Sequence, residues 1–342
     1  MDEAERFSAN EELRRLYDER APLLAFNARN KAEWLTWRAA FSARLLDLMG
    51  GFPLERCPLE TEILEERECQ GYLRQKVVLQ TSPGVWVPTY VLRPSEGSGP
   101  WRGMLCLHGH GRGKDDVVGV AETEEERKHI EALNYNYAEQ FARRGYVTIT
   151  PDARGFGERK EGYQFAGRDG CNVFFLKYQL LGLNPLTLNV WDVMRCLDYL
   201  QERPEVEAER IGCVGLSYGG TLTLYAAALD ERIKVAVVSC YLNLFKAYAF
   251  DLDNTCGSQT VPGLLRYGEM GEVAALIAPR PLLIEAGIKD GGFPLEATRE
   301  AYAVVRRAYE AAGAPERLAL DEFDGGHMFS GRLAFDFVSR WL

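Results

Sequence analysis

One short segment limits the possible folds of this 342-residue chain more than any other: I-G-C-V-G-L-S-Y-G-G, residues 211 to 220. Ile211 to Val214 read as a buried strand, and Thr221 to Leu229 (T-L-T-L-Y-A-A-A-L) read as a helix of mostly small residues. Between them lies Gly-x-Ser-x-Gly, centred on Ser217. A serine hydroxyl is a poor nucleophile unless the chain holds it on a sharp, exposed strand-to-helix turn. Glycines at 215 and 219 remove the Cβ atoms that would collide across such a turn. Ser217 is therefore the candidate nucleophile.

A serine placed this way needs a base and an orienting acid, in the chain order Ser, acid, His. The chain has four histidines, and only His327 lies beyond Ser217. It sits in F-D-G-G-H-M-F, after the strand-like L-A-L-D-E-F (318 to 323) and before Phe329 to Leu342, which reads as a closing helix. The acid is expected after the strand P-L-L-I-E-A (281 to 286), where G-I-K-D-G-G-F-P offers Asp290. Glu285 within the strand, and Asp321, Glu322 and Asp324 near His327, are its rivals.

An apolar strand, Met104 to Leu107, ends in H-G-H-G-R-G (108 to 113). A loop this rich in glycine exposes backbone N–H groups, and the amides of His110 and Tyr218 are the expected oxyanion donors. The His108 side chain is expected to brace the loop, and His129 to lie on the surface. The loop lacks the Gly-Lys-Ser/Thr of a phosphate cradle.

In this order, H-G-H-G, D-A-R-G-F-G-E-R (152 to 159), G-L-S-Y-G-G, the Asp290 loop and G-G-H resemble the α/β-hydrolase superfamily over residues 74 to 342. The chain looks most similar to its dienelactone hydrolase and acetyl xylan esterase-like branch. Two positions depart from that branch, as does the sequence after the histidine, which does not match that of acetyl xylan esterases. Residue 218 is tyrosine where acetyl xylan esterases usually have glutamine, and Ser217 stands where dienelactone hydrolases have cysteine. The resemblance implies a serine carboxylester hydrolase that acts through an acyl-enzyme on a small or acetylated ester, with no metal or organic cofactor. An amidase or peptidase with the same triad, and a non-catalytic binding protein on the same fold, are the alternatives.

Alternation along the chain supports that fold class. Strands read at 75–80, 85–92, 104–107, 146–150, 211–214, 235–239, 281–286 and 318–323, and helices at 135–144, 188–201 and 295–312. This pattern implies a mostly parallel sheet flanked by helices, with ligands at the carboxyl ends of its strands. Residues 1–70 are expected to form a helical extension: Trp34, Trp37, Phe41, Leu45 and Leu48 recur at helical spacing, and Gly50-Gly51 ends the run. This stripe is expected to pack on the catalytic domain, 71–342. Two aromatic-rich insertions, at about 155–185 and 241–273, are expected to form either a cap over the pocket or a homo-oligomer interface.

A net charge of −10 argues against nucleic acid or an anionic membrane as partner. It leaves Arg112, Arg154 and Lys289 as candidate positive groups for an anionic substrate, with Arg112 and Arg154 expected in the pocket. The first residues are acidic and lack the apolar core of a signal peptide, and no apolar run approaches bilayer length. Eight scattered cysteines without a Cys-x-x-Cys pair read as reduced thiols, so a cytoplasmic location is expected.

Overall fold

The structure is a computed structural model that describes residues 6–52, 55–162 and 170–342. Its described strands are β1 (Thr61–Cys69), β2 (Tyr72–Ser82), β3 (Val85–Pro94), β4 (Trp101–Leu107), β5 (Tyr146–Pro151), β6 (Val206–Leu216), β7 (Ile233–Ser239), β8 (Leu282–Gly287) and β9 (Leu318–Phe323). They form a nine-stranded sheet in the order β1-β2-β3-β5-β4-β6-β7-β8-β9. The strands β1, β2, β3 and β5 pair antiparallel in turn; every pairing from β5 through β4 to β9 is parallel.

The central parallel strands are apolar throughout because both faces of the sheet are covered. In β4, Leu105 and Leu107 join one buried cluster while Met104 and Cys106 join the other. In β7, Ala236 and Val238 separate in the same way from Val235 and Val237. This is the period-two alternation of a strand, with apolar side chains on both sides.

The described helices are α1 (Ala9–Glu19), α2 (Lys31–Leu48), α3 (Lys114–Val117), α4 (Glu124–Ala132), α5 (Tyr137–Ala142), α6 (Gly170–Leu180), α7 (Pro185–Glu202), α8 (Tyr218–Leu229), α9 (Met270–Ala275), α10 (Leu295–Ala312) and α11 (Ala334–Trp341). Helices α7, α8, α9 and α10 supply Val190, Leu224, Ala274 and Val305 to the first cluster, and α5 and α11 supply Phe141 and Val338 to the second.

The N-terminal stripe packs inward as its spacing implies. Asn30 caps α2 by accepting the Glu33 N–H, and Trp34, Trp37, Phe41 and Leu45 are buried in the main core. Tyr17 Oη on α1 donates to Glu269 Oε1 (2.9 Å), so the extension is tied to the segment around the second insertion. The helical reading does not hold to residue 70. Residues 61–69 are a strand, β1, paired along β2 and exposed over nearly its whole length. Its charged side chains give no apolar alternation to read, because both faces of this edge strand meet solvent.

The closing helix is also shorter than expected, starting at Ala334. The residues before it, Ser330 and Gly331, turn back so that their N–H groups meet the Glu285 carboxylate.

Candidate active site

Strand β6 runs into α8 through Ser217, which adopts φ +60° and ψ −118°. That backbone region is rarely open to a residue with a side chain, and non-glycine residues kept there cluster at functional sites. The surroundings enforce the conformation. The Ser217 N–H donates to Ser239 O at the end of β7 (2.9 Å), and Ser217 O accepts from Thr221 N (3.0 Å). A Cβ on Gly215 would be driven into the backbone of Gly219, and one on Gly219 into the carbonyl of Leu107. The two flanking glycines are therefore required by close backbone approach.

The base and acid come from two loops pressed together. Lys289 N donates to Gly325 O (2.8 Å) and Ile288 N to Phe323 O (3.0 Å), which ties the segment after β8 to the segment after β9. On this frame His327 Nδ1 lies 2.7 Å from Asp290 Oδ2. Asp290 is only 6% exposed, and its second oxygen accepts the N–H groups of Gly292 (2.9 Å) and Phe293 (3.2 Å). Burial by itself raises the Asp290 pKa, but the hydrogen bond and charge of His327 and the two backbone donors hold it below the ordinary value. An ionised Asp290 makes Nδ1 the protonated nitrogen, so Nε2 keeps its lone pair. Phe293 stacks on the imidazole with ring centres 5.5 Å apart.

The rival acids have other partners. Glu285 accepts backbone N–H groups of Ser330 and Gly331, and Asp321 pairs with Arg332 and Ser330. Glu322 pairs with Arg299, and Asp324 lies on the surface beside Lys289.

Ser217, Asp290 and His327 line one cavity of about 550 Å³, together with His110 from the loop after β4. Asp253 to Cys256 and Gln259 complete one wall, so the second insertion lines this cavity. Among the described residues the imidazole's hydrogen bond is to Asp290, and Ser217 Oγ and His327 meet only as neighbours in the cavity wall. Catalytic hydrogen bonds are commonly loose without substrate and tighten in the complex.

The loop after β4 is held at several points. His108 is buried; its Nε2 accepts from Ala153 N (3.0 Å), so Nδ1 carries the proton donated to Gly109 O (2.8 Å). Burial depresses its pKa, in keeping with a neutral, bracing imidazole. Gly109 N donates to Tyr135 Oη (2.7 Å), and a Cβ at Gly109 would sit 2.6 Å from that oxygen. The His110 ring packs against Phe156 and Tyr218, at centre distances of 5.3 and 5.4 Å. Tyr218 is the first residue of α8, so its amide belongs to the group of helix N-terminal N–H groups without an intrahelical acceptor. Its side chain is buried, stacked on Phe156 and held by Asn189 Nδ2, which donates to the phenol oxygen (2.7 Å).

Arg112 and Arg154 do not line the cavity, which corrects the expectation that they supply its positive charge. Arg112 pairs with Asp116 (2.7 Å) and Glu126 (3.2 Å). Arg154 is buried against Asp192 (2.5 Å), which also holds Arg159 (2.8 Å) and Thr81 (2.6 Å). In the same motif Asp152 and Glu158 enclose Lys114, with Nζ at 2.8 and 2.5 Å. The D-A-R-G-F-G-E-R segment thus spends its charges internally, and its Phe156 supports the His110 loop. His129 is exposed on α4, as expected.

Cys256 is a feature that linear reading missed. Hydrogen bonding from Cys171, then from His110 and Ser258, outweighs burial and brings its pKa down to about 5. No local motif announces it, since the three neighbours come from positions 110, 171 and 258.

A mostly parallel sheet covered on both faces, with a serine elbow and an Asp–His pair at the carboxyl ends of its strands, defines an α/β-hydrolase. The chain belongs to the Abhydrolase family, whose model Abhydrolase_7 matches residues 3–332. It is 28% identical over 320 residues to the "Putative hydrolase YtaP" of Bacillus subtilis, spanning 89% of this chain and 100% of that one. In structure it is similar to a "putative acetyl xylan esterase" of Bacteroides fragilis (TM-score 0.77, 19% identity, 93% of this chain and 82% of the other). It also resembles a glucuronoyl esterase of Solibacter usitatus (TM-score 0.67, 16% identity, 93% and 96%). Among the described residues no helix is long and apolar enough to cross a membrane.

Proposed function

We propose that the protein is a serine carboxylester hydrolase that works through an acyl-enzyme on a small or acetylated ester. The observation that carries this reading is the buried Asp290 hydrogen-bonded to His327 in the cavity that also holds the strained Ser217 elbow. In the proposed reaction His327 Nε2 takes the Ser217 proton as Oγ attacks the ester carbonyl. Asp290 fixes the Nδ1–H tautomer and stabilises the imidazolium that forms. The amides of His110 and Tyr218 bind the tetrahedral oxyanion; loss of one such donor costs about two to three powers of ten in turnover. The imidazolium then protonates the departing alcohol, and water, activated by the same nitrogen, releases the acid.

The esterase names of the structural neighbours support an ester bond as the target. The 550 Å³ cavity suits a small substrate, and the polar Asp253, Asn254, Thr255 and Gln259 on its wall suit a hydroxylated alcohol portion. A reducing, cytoplasmic setting fits eight cysteines that are all thiols.

The test is a panel of p-nitrophenyl esters varied in acyl length, run beside matched anilides. Ester turnover that falls with acyl size and vanishes in Ser217→Ala supports the proposal. Faster cleavage of the anilides would move the assignment to an amidase, and unchanged turnover in Ser217→Ala would remove the serine mechanism.

A further inference from the structure

Beside the catalytic elbow, three side chains that the hydrolytic scheme leaves unused converge from distant parts of the chain. A ring nitrogen of His110 and the Sγ atoms of Cys171 and Cys256 all lie within 4.8 Å of one another. We propose that these three residues form a binding site for one thiophilic divalent cation, with Zn2+ as the fitting ion, at the rim of the substrate cavity.

Two thiolates and an imidazole are the donors that such an ion selects over Mg2+ or Ca2+, which take oxygen. Bond lengths of about 2.3 Å to sulfur and about 2.0 Å to nitrogen place tetrahedral ligand atoms roughly 3.5–3.8 Å apart. From the 4.8 Å limit, a contraction of at most about 1.0–1.3 Å closes the site.

The scaffold is already assembled around it. Next to Cys171, Asn172 Oδ1 accepts the N–H of Gly257, the residue after Cys256 (2.8 Å). A Cβ on Gly257 would sit 2.5 Å from Phe175 Cβ, so the turn packs directly against the Phe175 side chain of α6. Ser258 Oγ lies 2.9 Å from Cys256 Sγ and can orient it in the manner of an outer-shell partner. His110 is fixed on the third side by Phe156 and Tyr218. Three protein ligands leave a fourth position open, the arrangement of exchangeable rather than sealed zinc sites. His110 and Cys256 both line the cavity, so that position lies on the substrate side. An ion held there cross-links the first insertion, the second insertion and the loop that carries the proposed oxyanion amide. The site is defined by these contacts whether or not the hydrolytic assignment is correct.

The test uses full-length protein, reduced and freed of metal, titrated with Co2+ as a spectroscopic probe and then with Zn2+. One equivalent of Co2+ is expected to bind and produce thiolate-to-cobalt charge-transfer absorption of two-sulfur intensity, which Zn2+ then displaces. Hydrogen exchange across residues 170–180 is expected to slow when metal is added. Cys171→Ser and Cys256→Ser should each halve or abolish the absorption, and Cys240→Ser should leave it intact. The last variant is needed because Cys240, Asp290 and His327 form the other cluster of potential ligands among the described residues. Absence of charge-transfer absorption in the wild-type protein would overturn the proposal without reference to any variant. Absorption that survives loss of both Cys171 and Cys256, or disappears with Cys240, would overturn it as well.

Discussion

Replacing Asp290 with asparagine changes one atom of the carboxyl group, and the surrounding structure dictates how that atom is used. Oδ1 accepts two backbone N–H groups, from Gly292 and Phe293. An amide NH2 turned toward them would set donors against donors in a site that is almost closed to water, so the amide oxygen must remain there. The NH2 group then takes the Oδ2 position, 2.7 Å from His327 Nδ1. It can only donate, which makes Nδ1 the acceptor and moves the imidazole proton to Nε2. A protonated Nε2 cannot take the Ser217 proton. The expected loss in kcat is about 10⁴-fold, the size found where an analogous triad is forced into the wrong tautomer. That corresponds to about 5.5 kcal/mol of barrier. Because the replacement is isosteric and keeps the backbone hydrogen bonds, the thermal midpoint should change little. Steady-state hydrolysis of p-nitrophenyl acetate measures the first quantity and a melting curve the second. Turnover within tenfold of wild type would refute the reasoning, as would an equal loss in Glu285→Gln or Asp324→Asn.

Other substitutions probe separate parts of the account. Gly219→Ala forces a Cβ into the Leu107 carbonyl; it should cost about 1–3 kcal/mol of stability and, by shifting the elbow about 1 Å, roughly 10²-fold in kcat, read by denaturant unfolding and ester assay. Tyr218→Phe should lower stability by about 1–3 kcal/mol, because Asn189 loses a buried acceptor, yet leave kcat nearly unchanged if residue 218 acts through its amide. Burial, aided by the Asp321 charge, lifts the Glu285 pKa from 4.5 to about 7. The folded state therefore binds this proton more tightly than the unfolded chain does. Its stabilising effect is full below about pH 4.5 and is lost as pH rises through about 7. Glu285→Gln should flatten the fall in unfolding free energy between pH 5 and 8 by up to about 3 kcal/mol; an unchanged slope would count against this origin.

The serine elbow was legible because its requirements are local: glycines two residues either side of Ser217, an apolar strand before it and a small-residue helix after it. His327 followed by elimination among four histidines, and Asp290 from its place after a strand. The strands and helices with clear apolar periodicity were equally readable, and α10 and β9 match their expected limits. Charge was harder to place. Arg112 and Arg154 have the same residue type whether they meet a substrate or a buried carboxylate, and only tertiary structure brings Asp116 and Asp192 to them. Strand β1 carries no apolar alternation, since its pairing rather than its burial makes it a strand. Cys171 and Cys256 are 85 residues apart and meet only because α6 docks on the turn at Gly257.

The most direct test of the central claim is the reaction of the native protein with a fluorophosphonate, read by mass spectrometry of its peptides. A single adduct is expected, on Ser217, forming about 10³-fold or more slowly in His327→Ala. An adduct at another residue, or labelling of Ser217 at the same rate without the imidazole, would contradict the claim.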